Sequence, residues 1–129
     1  GLALKLLATR IDATIESAGH VSGLAEPADQ LADALQALGA ATKAAWATGV
    51  PEEALANAAP YLQAFGHTVL AWLWLDVALA CARRDDDFAH GKRAAMRYFY
   101  AFELPKASPW LAPVANRNPT CRDMRDEWY

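Results

Sequence analysis

The sequence predicts an all-α fold, an up-and-down four-helix-type bundle with a kinked and highly apolar central helix. Three observations predict it. Apolar residues recur at steps of three and four along most of the chain, and alanine, the strongest helix former, is abundant. No stretch alternates polar and apolar residues as a strand would. An irregular C-terminal tail over residues 106–129 completes the predicted architecture.

The N-terminal half is predicted to form two amphipathic helices. The first covers about Leu2 to Ala18 and ends at Gly19. The second opens at Glu26-Pro27 and ends before Gly49-Val50-Pro51. Their inward stripes are Leu4, Leu7, Ile11 and Ile15 in the first, and Leu31, Leu35, Leu38, Thr42 and Ala45 in the second. Alternating steps of four and three in the second stripe are typical of helices that pack nearly parallel or antiparallel in a bundle.

The third predicted helix, which starts near Pro51, contains the most apolar part of the chain, Pro60 to Cys81. Pro60 lacks a backbone donor, so we expect a kink there or a short helix before the long one. One side of the long part carries Leu62, Phe65, Val69, Trp72 and Leu79, and the other carries Leu70, Trp74, Val77 and Cys81. A helix that is apolar all round is buried, so we expect the hub of a bundle or a seam with a partner.

A membrane-spanning role is disfavoured for this helix, because Gln63, His67 and Asp76 interrupt it before the ~18 uncharged residues that a span requires. The fourth predicted helix begins at a cap chosen from Asp85 to Asp87 and ends at Leu104-Pro105. Its bundle-facing stripe is Phe88, Ala95, Phe99 and Phe102. The turn-forming pairs Ser108-Pro109 and Asn118-Pro119 predict an irregular tail with one more helical turn near Arg122 to Trp128.

Length and charge limit the functions that the chain can have. We expect residues 1–129 to form a single domain, because that length suits one core. A net charge of -3 argues against binding of nucleic acid. Two cysteines are too few for a thiolate metal site or a disulfide framework, which indicates a reducing, cytoplasmic setting. Gly1 lies within helical periodicity and no signal peptide is visible, so we expect a piece of a longer chain.

Asp76 is the most unusual polar residue of the apolar helix. A carboxylate between Trp72 and Leu79 costs several kcal/mol (about 3 or more) if it is buried without a partner. We therefore expect an ion pair or hydrogen bond with Arg97, Lys92 or His67. The functional alternative makes Asp76 a contact across a domain interface.

Other polar and aromatic residues also have a structural and a functional interpretation. His67 is predicted to be a core residue with a hydrogen-bond partner. Lys92, Arg93 and Arg97 form either a solvated face or a receptor for a phosphate from a neighbouring domain. Asp87 and His90 provide only half of a di-iron carboxylate-histidine pattern. An aromatic set, Tyr61, Tyr98, Tyr100, Trp46 and Trp110, suits a docking surface or a core equally.

The sequence contains no nucleophile with a base and no glycine-rich phosphate loop. We therefore predict no catalytic, cofactor-binding or metal-binding residues in this chain. The interface or structural candidates are Asp76, His67, Arg97, Lys92, Tyr61, Trp72, Trp74 and Tyr98.

An ordered series of landmarks runs through the second half of the chain: Pro60-Tyr61-Leu62, Phe65-Gly66, Trp72 to Trp74, Lys92, Met96 to Tyr100 and Leu104-Pro105. This series resembles the C-terminal helical extension of bacterial acyl-CoA dehydrogenases, in the branch that is similar to 3-methylmercaptopropionyl-CoA dehydrogenases. The resemblance covers about residues 28–105, and the tail from Asn116 to Tyr129 departs from it.

The resemblance implies a parent flavoenzyme of fatty acid metabolism that removes a proton alpha to an acyl-CoA thioester and passes a hydride to FAD. In such enzymes the glutamate base, the flavin contacts and most of the acyl-CoA pocket belong to the catalytic core. FAD and acyl-CoA are thus implied for the parent only. For this chain the resemblance implies an accessory domain that packs on the core and supports a homo-oligomer.

Three other functions remain open at this point. A free-standing helical interaction or regulatory protein would dimerise through the third and fourth predicted helices. An enzyme in its own right would hold a ligand between helices with Asp76 and His67 as polar anchors. DNA binding is suggested by a related branch linked to alkylation damage, but the acidic balance of this chain disfavours it.

Overall fold

The computed structural model describes all 129 residues and contains helices and turns but no strand, which confirms the all-α helical bundle. Six α-helices follow one another, with a π-helical and a 3₁₀ turn between the last two and a 3₁₀ turn near the C-terminus. Their bounds are α1 Leu2–Gly19, α2 Ala25–Ala45, α3 Pro51–Ala54, α4 Ala58–Ala80, α5 Asp87–Tyr98, the π-helical turn Phe99–Glu103, the 3₁₀ turn Leu104–Lys106, α6 Ala107–Ala115 and the 3₁₀ turn Asp126–Trp128.

The first two predicted helices are confirmed. In α1, Ile11, Thr14 and Ala18 are buried, and Gly19 is the last helical residue. In α2 the residues Leu31 and Leu38 are buried, seven positions apart as the predicted stripe requires. The turn between the two helices contains Gly23 with φ of 83°, a left-handed conformation that glycine adopts without steric cost.

The central helix is preceded by a short helix and is not broken at Pro60. The interruption lies earlier, between the end of α3 and the start of α4. Pro60 is the third residue of α4, within the first turn, where backbone N–H groups have no partner inside the helix. The proline therefore does not interrupt the hydrogen bonds of α4, and the expected break is a turn around Leu55.

Of the two predicted roles of α4, the hub of a bundle that is buried all round is wrong, and the seam with a partner stays a prediction. Its buried side consists mainly of small residues, Ala64, Thr68, Ala71, Leu75 and Ala78. These residues let α1, α2, α5 and α6 approach closely, and each of those helices contacts α4. Leu62, by contrast, is 69% exposed, and Leu70 and Leu73 are also exposed. The helix is central to the bundle on one side only, because Leu62, Leu70 and Leu73 point away from the core.

The prediction that the helix ends at Leu104-Pro105 is also wrong, because the chain continues through Pro105 into α6. In the π-helical turn the N–H of Leu104 bonds to the carbonyl of Phe99, five residues earlier. A π-helical turn followed by a 3₁₀ turn changes the local hydrogen-bond pattern, so the missing N–H of Pro105 does not stop the helical path. The irregular tail therefore begins only at Asn116, and its predicted last helical turn corresponds to Asp126–Trp128.

Two adjacent groups of buried side chains form the core. The larger group joins α1, α2, α4 and α5 and includes Ile11, Leu31, Leu75, Met96 and Tyr100. The smaller group joins α2, α4 and α6 and includes Leu38, Ala41, Ala64, Leu111 and Val114. The missed helix α6 is thus a structural part of the bundle.

One helix, Ala58–Ala80, is long and apolar enough to cross a membrane by length and composition alone. One side of this helix packs in the bundle, where five of its residues are buried. The length and composition of the helix are therefore only weak evidence for a membrane span.

Candidate docking surface

The side of α4 that points away from the core is apolar along the length of the helix. With 100° of rotation per residue, the positions opposite the buried alanines are Ala59, Leu62, Gly66, Val69, Leu73 and Ala80. Among the residues that flank this line, only Asp76 is charged. Solvent-facing sides of helices normally carry polar residues, so this apolar line departs from the usual pattern.

A groove of about 480 Å³ lies beside this line, between α4 and α5. It is lined by Leu70, Leu73, Trp74, Val77, Phe88 and Lys92. The Nζ atom of Lys92 lies 5.1 Å from the centre of the Phe88 ring, and the Arg84 guanidinium lies 5.2 Å from it. These cation–π contacts hold two basic side chains at the rim of an apolar groove.

The predicted inward stripe of the fourth helix is largely wrong. Phe88 is 58% exposed and Phe102 is 63% exposed, whereas Phe99 alone of the four predicted residues is buried. Ala89 and Met96 face the bundle in α5, together with Phe99 and Tyr100 in the turn after it. The π-helical turn contributes to this error, because its wider coil changes the direction in which every later side chain leaves the helix. Tyr98 and Phe102 are both exposed, and their ring centres are 5.0 Å apart.

We call the outward side of α4, the groove and the exposed aromatic residues of α5 and its π-helical turn the α4–α5 face. Its large exposed side chains are Leu62, Leu70, Leu73, Val77, Phe88, Tyr98 and Phe102. It contains two of the predicted interface candidates, Trp74 and Tyr98, and Lys92 lies at its rim.

The predicted burial and pairing of Asp76 are wrong. Asp76 is exposed and forms neither an ion pair nor a hydrogen bond with any other residue. It lies on the flank of the outward side of α4, so its carboxylate keeps its contact with water and requires no partner. The buried neighbour on the same helix is Leu75.

His67 has a partner that the sequence did not indicate. Its Nε2 atom lies 3.1 Å from Oε2 of Glu103, and its ring lies 4.8 Å from the Trp110 ring in an edge-to-face arrangement. Lys106 donates to both oxygens of Glu103 at 3.0 Å. The hydrogen bonds from Lys106 and then from His67 lower the pKa of Glu103. This junction joins α4 to the π-helical turn and to α6. His67 is therefore a partly exposed residue of the junction and not the core residue that was predicted.

The basic group at the start of α5 does not act as a unit. Arg93 donates to the carbonyl of Cys81 at 2.8 Å and to that of Arg84 at 3.0 Å, and so closes the C-terminal end of α4. Arg97 is exposed, forms no ion pair and lines a pocket of about 430 Å³ near the α1–α2 turn, which Arg93 and Arg84 also line. Lys92 at the rim of the groove is therefore separate from Arg93 and Arg97, which line one pocket.

Several aromatic candidates join helices inside the domain. The Trp72 indole N–H donates to Oγ1 of Thr14 at 2.9 Å, and the Tyr61 hydroxyl lies 2.9 Å from Oγ1 of Thr42. Tyr100, from the aromatic set that suited a docking surface or a core, is buried and donates to the carbonyl of Ala71 at 2.7 Å. Burial raises the pKa of Tyr100. These residues hold the bundle together and are not part of the open face.

No group of three or more His, Cys, Asp or Glu side chains is placed to hold a metal ion. The histidine–carboxylate contacts His67–Glu103 and His90–Asp85 have no third His, Cys, Asp or Glu side chain beside them that could complete a metal site. The fold and its open side define a class, an all-helical domain whose most apolar helix presents a large unpaired surface.

The family follows from comparison with known proteins. The profile of the family described as "Acetyl-CoA dehydrogenase C-terminal like" matches residues 7–125, and the chain belongs to this family. The match extends beyond the 28–105 range of the sequence landmarks and includes α6. No curated protein and no solved structure matches the chain significantly.

Proposed function

We propose that this chain is the C-terminal accessory domain of an FAD-dependent acyl-CoA dehydrogenase, in which it packs on the catalytic core and supports the oligomer. The observation that carries the proposal is the family match over residues 7–125. The landmark series supports a parent in the branch similar to 3-methylmercaptopropionyl-CoA dehydrogenases.

The α4–α5 face supports a role in assembly. Monomeric proteins rarely expose a contiguous apolar patch larger than roughly 300–600 Å², and larger patches mark interaction sites. The exposed residues of the face include three aromatic side chains, Phe88, Tyr98 and Phe102, a type that is enriched in interfaces. A domain that must be covered by another protein surface suits an accessory role.

In the proposed enzyme this chain supplies no reacting group. The parent's core would bind FAD and the acyl-CoA, remove the alpha proton and accept the hydride. The carboxylate of Glu103 is occupied by Lys106 and His67, so its role is structural. We propose a cytoplasmic location, which the low cysteine content of the sequence supports.

The decisive experiment is to sequence the gene on the 5′ side of the Gly1 codon. A flavin-dependent dehydrogenase core in the same frame is the expected result. The full protein is then purified with and without residues 1–129, and bound FAD, dehydrogenase activity and molecular mass are measured. We expect the shortened protein to lose subunits from its assembly; unchanged assembly would contradict the proposal.

A second candidate is a free-standing helical interaction or regulatory protein. The α4–α5 face favours it, because these two helices correspond to the third and fourth predicted helices, through which such a protein would dimerise. A start codon immediately before the Gly1 codon would select this candidate over the accessory domain.

A further inference from the structure

On the outward side of α4, the positions before and after the midpoint of the helix can be matched in pairs. About a point between Val69 and Leu70, Ala59 corresponds to Ala80, Leu62 to Val77 and Gly66 to Leu73. Small residues thus stand at both ends, and the one gap in the line, Gly66, corresponds to a large exposed side chain. Two copies of one surface that meet around a two-fold axis must be self-complementary in this way.

We propose that α4 packs antiparallel against α4 of a second copy of this chain, with the two-fold axis near Val69 and Leu70. The gap at Gly66 then receives Leu73 of the partner subunit, and the same contact forms twice. This inference rests on the proposed function, since it names the surface and the partner through which the domain supports the oligomer. The groove beside α4 adds Phe88 to the contact.

The spacing along the line suits such a pair. Leu62, Gly66, Val69 and Leu73 follow one another at steps of four, three and four. This alternation keeps one side of a helix facing a neighbour that crosses at about 20°. The core of the monomer does not require this spacing, because these four residues lie opposite the buried side of α4.

The exposed area of the face approaches what one half of a stable dimer interface buries. At about 200 Å² for each large side chain when fully exposed, the seven exposed residues of the α4–α5 face present on the order of 700 Å². Stable interfaces bury about 800 Å² on each partner. The face of one copy is thus close to what one half of such an interface contributes.

The charges on the face do not oppose the pairing. Asp76 is the one charged residue beside the line on α4, and Lys92 lies at the rim on α5. In the antiparallel arrangement the two Asp76 residues lie about 20 Å apart along the helix axis, because each is six to seven residues from the axis and the rise is about 1.5 Å per residue. Repulsion over that distance is screened by physiological salt.

Gly66 has no role in the monomer. A Cβ atom at this position would meet no atom within 4 Å, and glycine is a poor helix former. The space beside Gly66 leaves room for a side chain of another surface. A Cβ atom at Gly39 in α2 would likewise meet no atom within 4 Å, so Gly39 provides a matched control for a glycine outside the face.

The first test measures the mass of the 129-residue chain by light scattering over a concentration series. We expect a dimer for the native chain and a monomer for Leu73→Glu, with the dissociation constant raised at least about tenfold. Leu55→Glu, which changes an exposed leucine outside the face, should remain dimeric. A native chain that is monomeric at every concentration, or a dimer that Leu73→Glu leaves intact, would overturn the proposal.

The second test separates loss of pairing from loss of folding. Gly66→Leu should weaken the dimer while the thermal stability of the monomer stays equal or rises, and Gly39→Leu should leave the dimer unchanged. In a Cys121→Ser background, Val69→Cys should form a disulfide-linked dimer under mild oxidation, and Gln36→Cys in α2 should not. Absence of the Val69→Cys cross-link in a proven dimer would refute the antiparallel α4 pair.

The outcomes also distinguish this inference from the proposed function. A dehydrogenase core in the reading frame together with a monomeric chain would retain the accessory domain and overturn the self-pairing, and the core would then cover the face. A start codon before Gly1 together with the expected dimer would overturn the accessory domain and retain the pairing.

Discussion

The indole N–H of Trp72 donates to the hydroxyl oxygen of Thr14 across 2.9 Å, and this hydrogen bond joins the central helix α4 to α1. Both residues lie at the edge of the larger core group, Thr14 in α1 and Trp72 in α4. A tryptophan that is partly buried usually finds a partner for its single polar atom, and here that partner is a threonine in another helix. The pair fixes the position of α4 relative to α1 on the side away from the α4–α5 face.

Thr14→Val should reduce the free energy of unfolding by about 1–2 kcal/mol, because it leaves the Trp72 N–H without its partner. Thr9→Val is the matched control, since Thr9 is exposed in the same helix and bonds only to the carbonyl of Lys5. Its effect should stay within about 0.5 kcal/mol. Urea unfolding monitored by tryptophan fluorescence provides both values, and equal effects of the two changes would contradict the role of the hydrogen bond.

Leu111→Ala should reduce the free energy of unfolding by about 2–4 kcal/mol, because Leu111 is a buried residue of α6 in the smaller core group. An irregular tail, as the sequence predicted, would show almost no effect. Leu55→Ala, at an exposed leucine, serves as the control and should change stability by less than about 0.5 kcal/mol. Thermal unfolding followed by circular dichroism compares the two variants.

Asp76→Ala should change the stability of the monomer by no more than about 0.5 kcal/mol, because Asp76 is exposed and has no partner to lose. A buried ion pair would instead cost about 3–5 kcal/mol when one partner is removed. Chemical unfolding at low protein concentration makes the distinction. A loss of several kcal/mol would show that Asp76 has a partner in solution.

Tyr100→Phe should lower stability at neutral pH by about 1 kcal/mol, because it removes the hydrogen bond to the carbonyl of Ala71. The native chain should lose stability as the pH rises above about 10, the ordinary pKa of tyrosine. Burial raises the pKa of Tyr100 in the folded state, so the unfolded state releases this proton first and high pH favours unfolding. Tyr100→Phe should weaken this alkaline dependence.

The control for Tyr100 is Tyr98→Phe, since Tyr98 is exposed in α5. Its stability profile should follow that of the native chain at high pH. Absorbance of tyrosinate should show one tyrosine that ionises only when the chain unfolds, and that signal should be absent in Tyr100→Phe alone. Ionisation of all tyrosines in the folded chain near pH 10 would contradict the burial of Tyr100.

Glu103→Gln should destabilise the chain at neutral pH, and its difference from the native chain should shrink in acid. Lys106 and His67 lower the pKa of Glu103 in the folded state, so the unfolded state takes up the proton first as the pH falls. The stabilisation from Glu103 is therefore complete above about pH 4.3, the ordinary glutamate pKa, and is lost as the pH falls through the lower folded-state pKa.

Denaturant unfolding at a series of pH values tests this expectation, with Glu16→Gln as the control at an exposed glutamate of α1 that forms no ion pair. Parallel pH profiles for Glu103→Gln and the native chain would show that the junction of Glu103 with Lys106 and His67 contributes nothing.

The sequence by itself determined the helical class, the bounds of α1 and α2 and the burial of Ile11, Leu31 and Leu38, because a step of three or four residues places side chains on one side of a helix. It also determined that the Pro60 to Cys81 segment has more apolar surface than one bundle needs. Both results depend only on local periodicity and composition.

Only the tertiary structure decided which side of α4 is covered. The alanines Ala64, Ala71 and Ala78 allow close helix packing and take the inward side, so the leucines Leu62 and Leu73 point outward. Leucine is more hydrophobic than alanine, so hydrophobicity alone indicates that the side with Leu62 and Leu73 is the buried one. The sequence did not indicate the π-helical turn or α6, because a proline normally ends a regular helix. The wider turn that lets the helical path continue past Pro105 depends on contacts with α4, which is distant in the sequence.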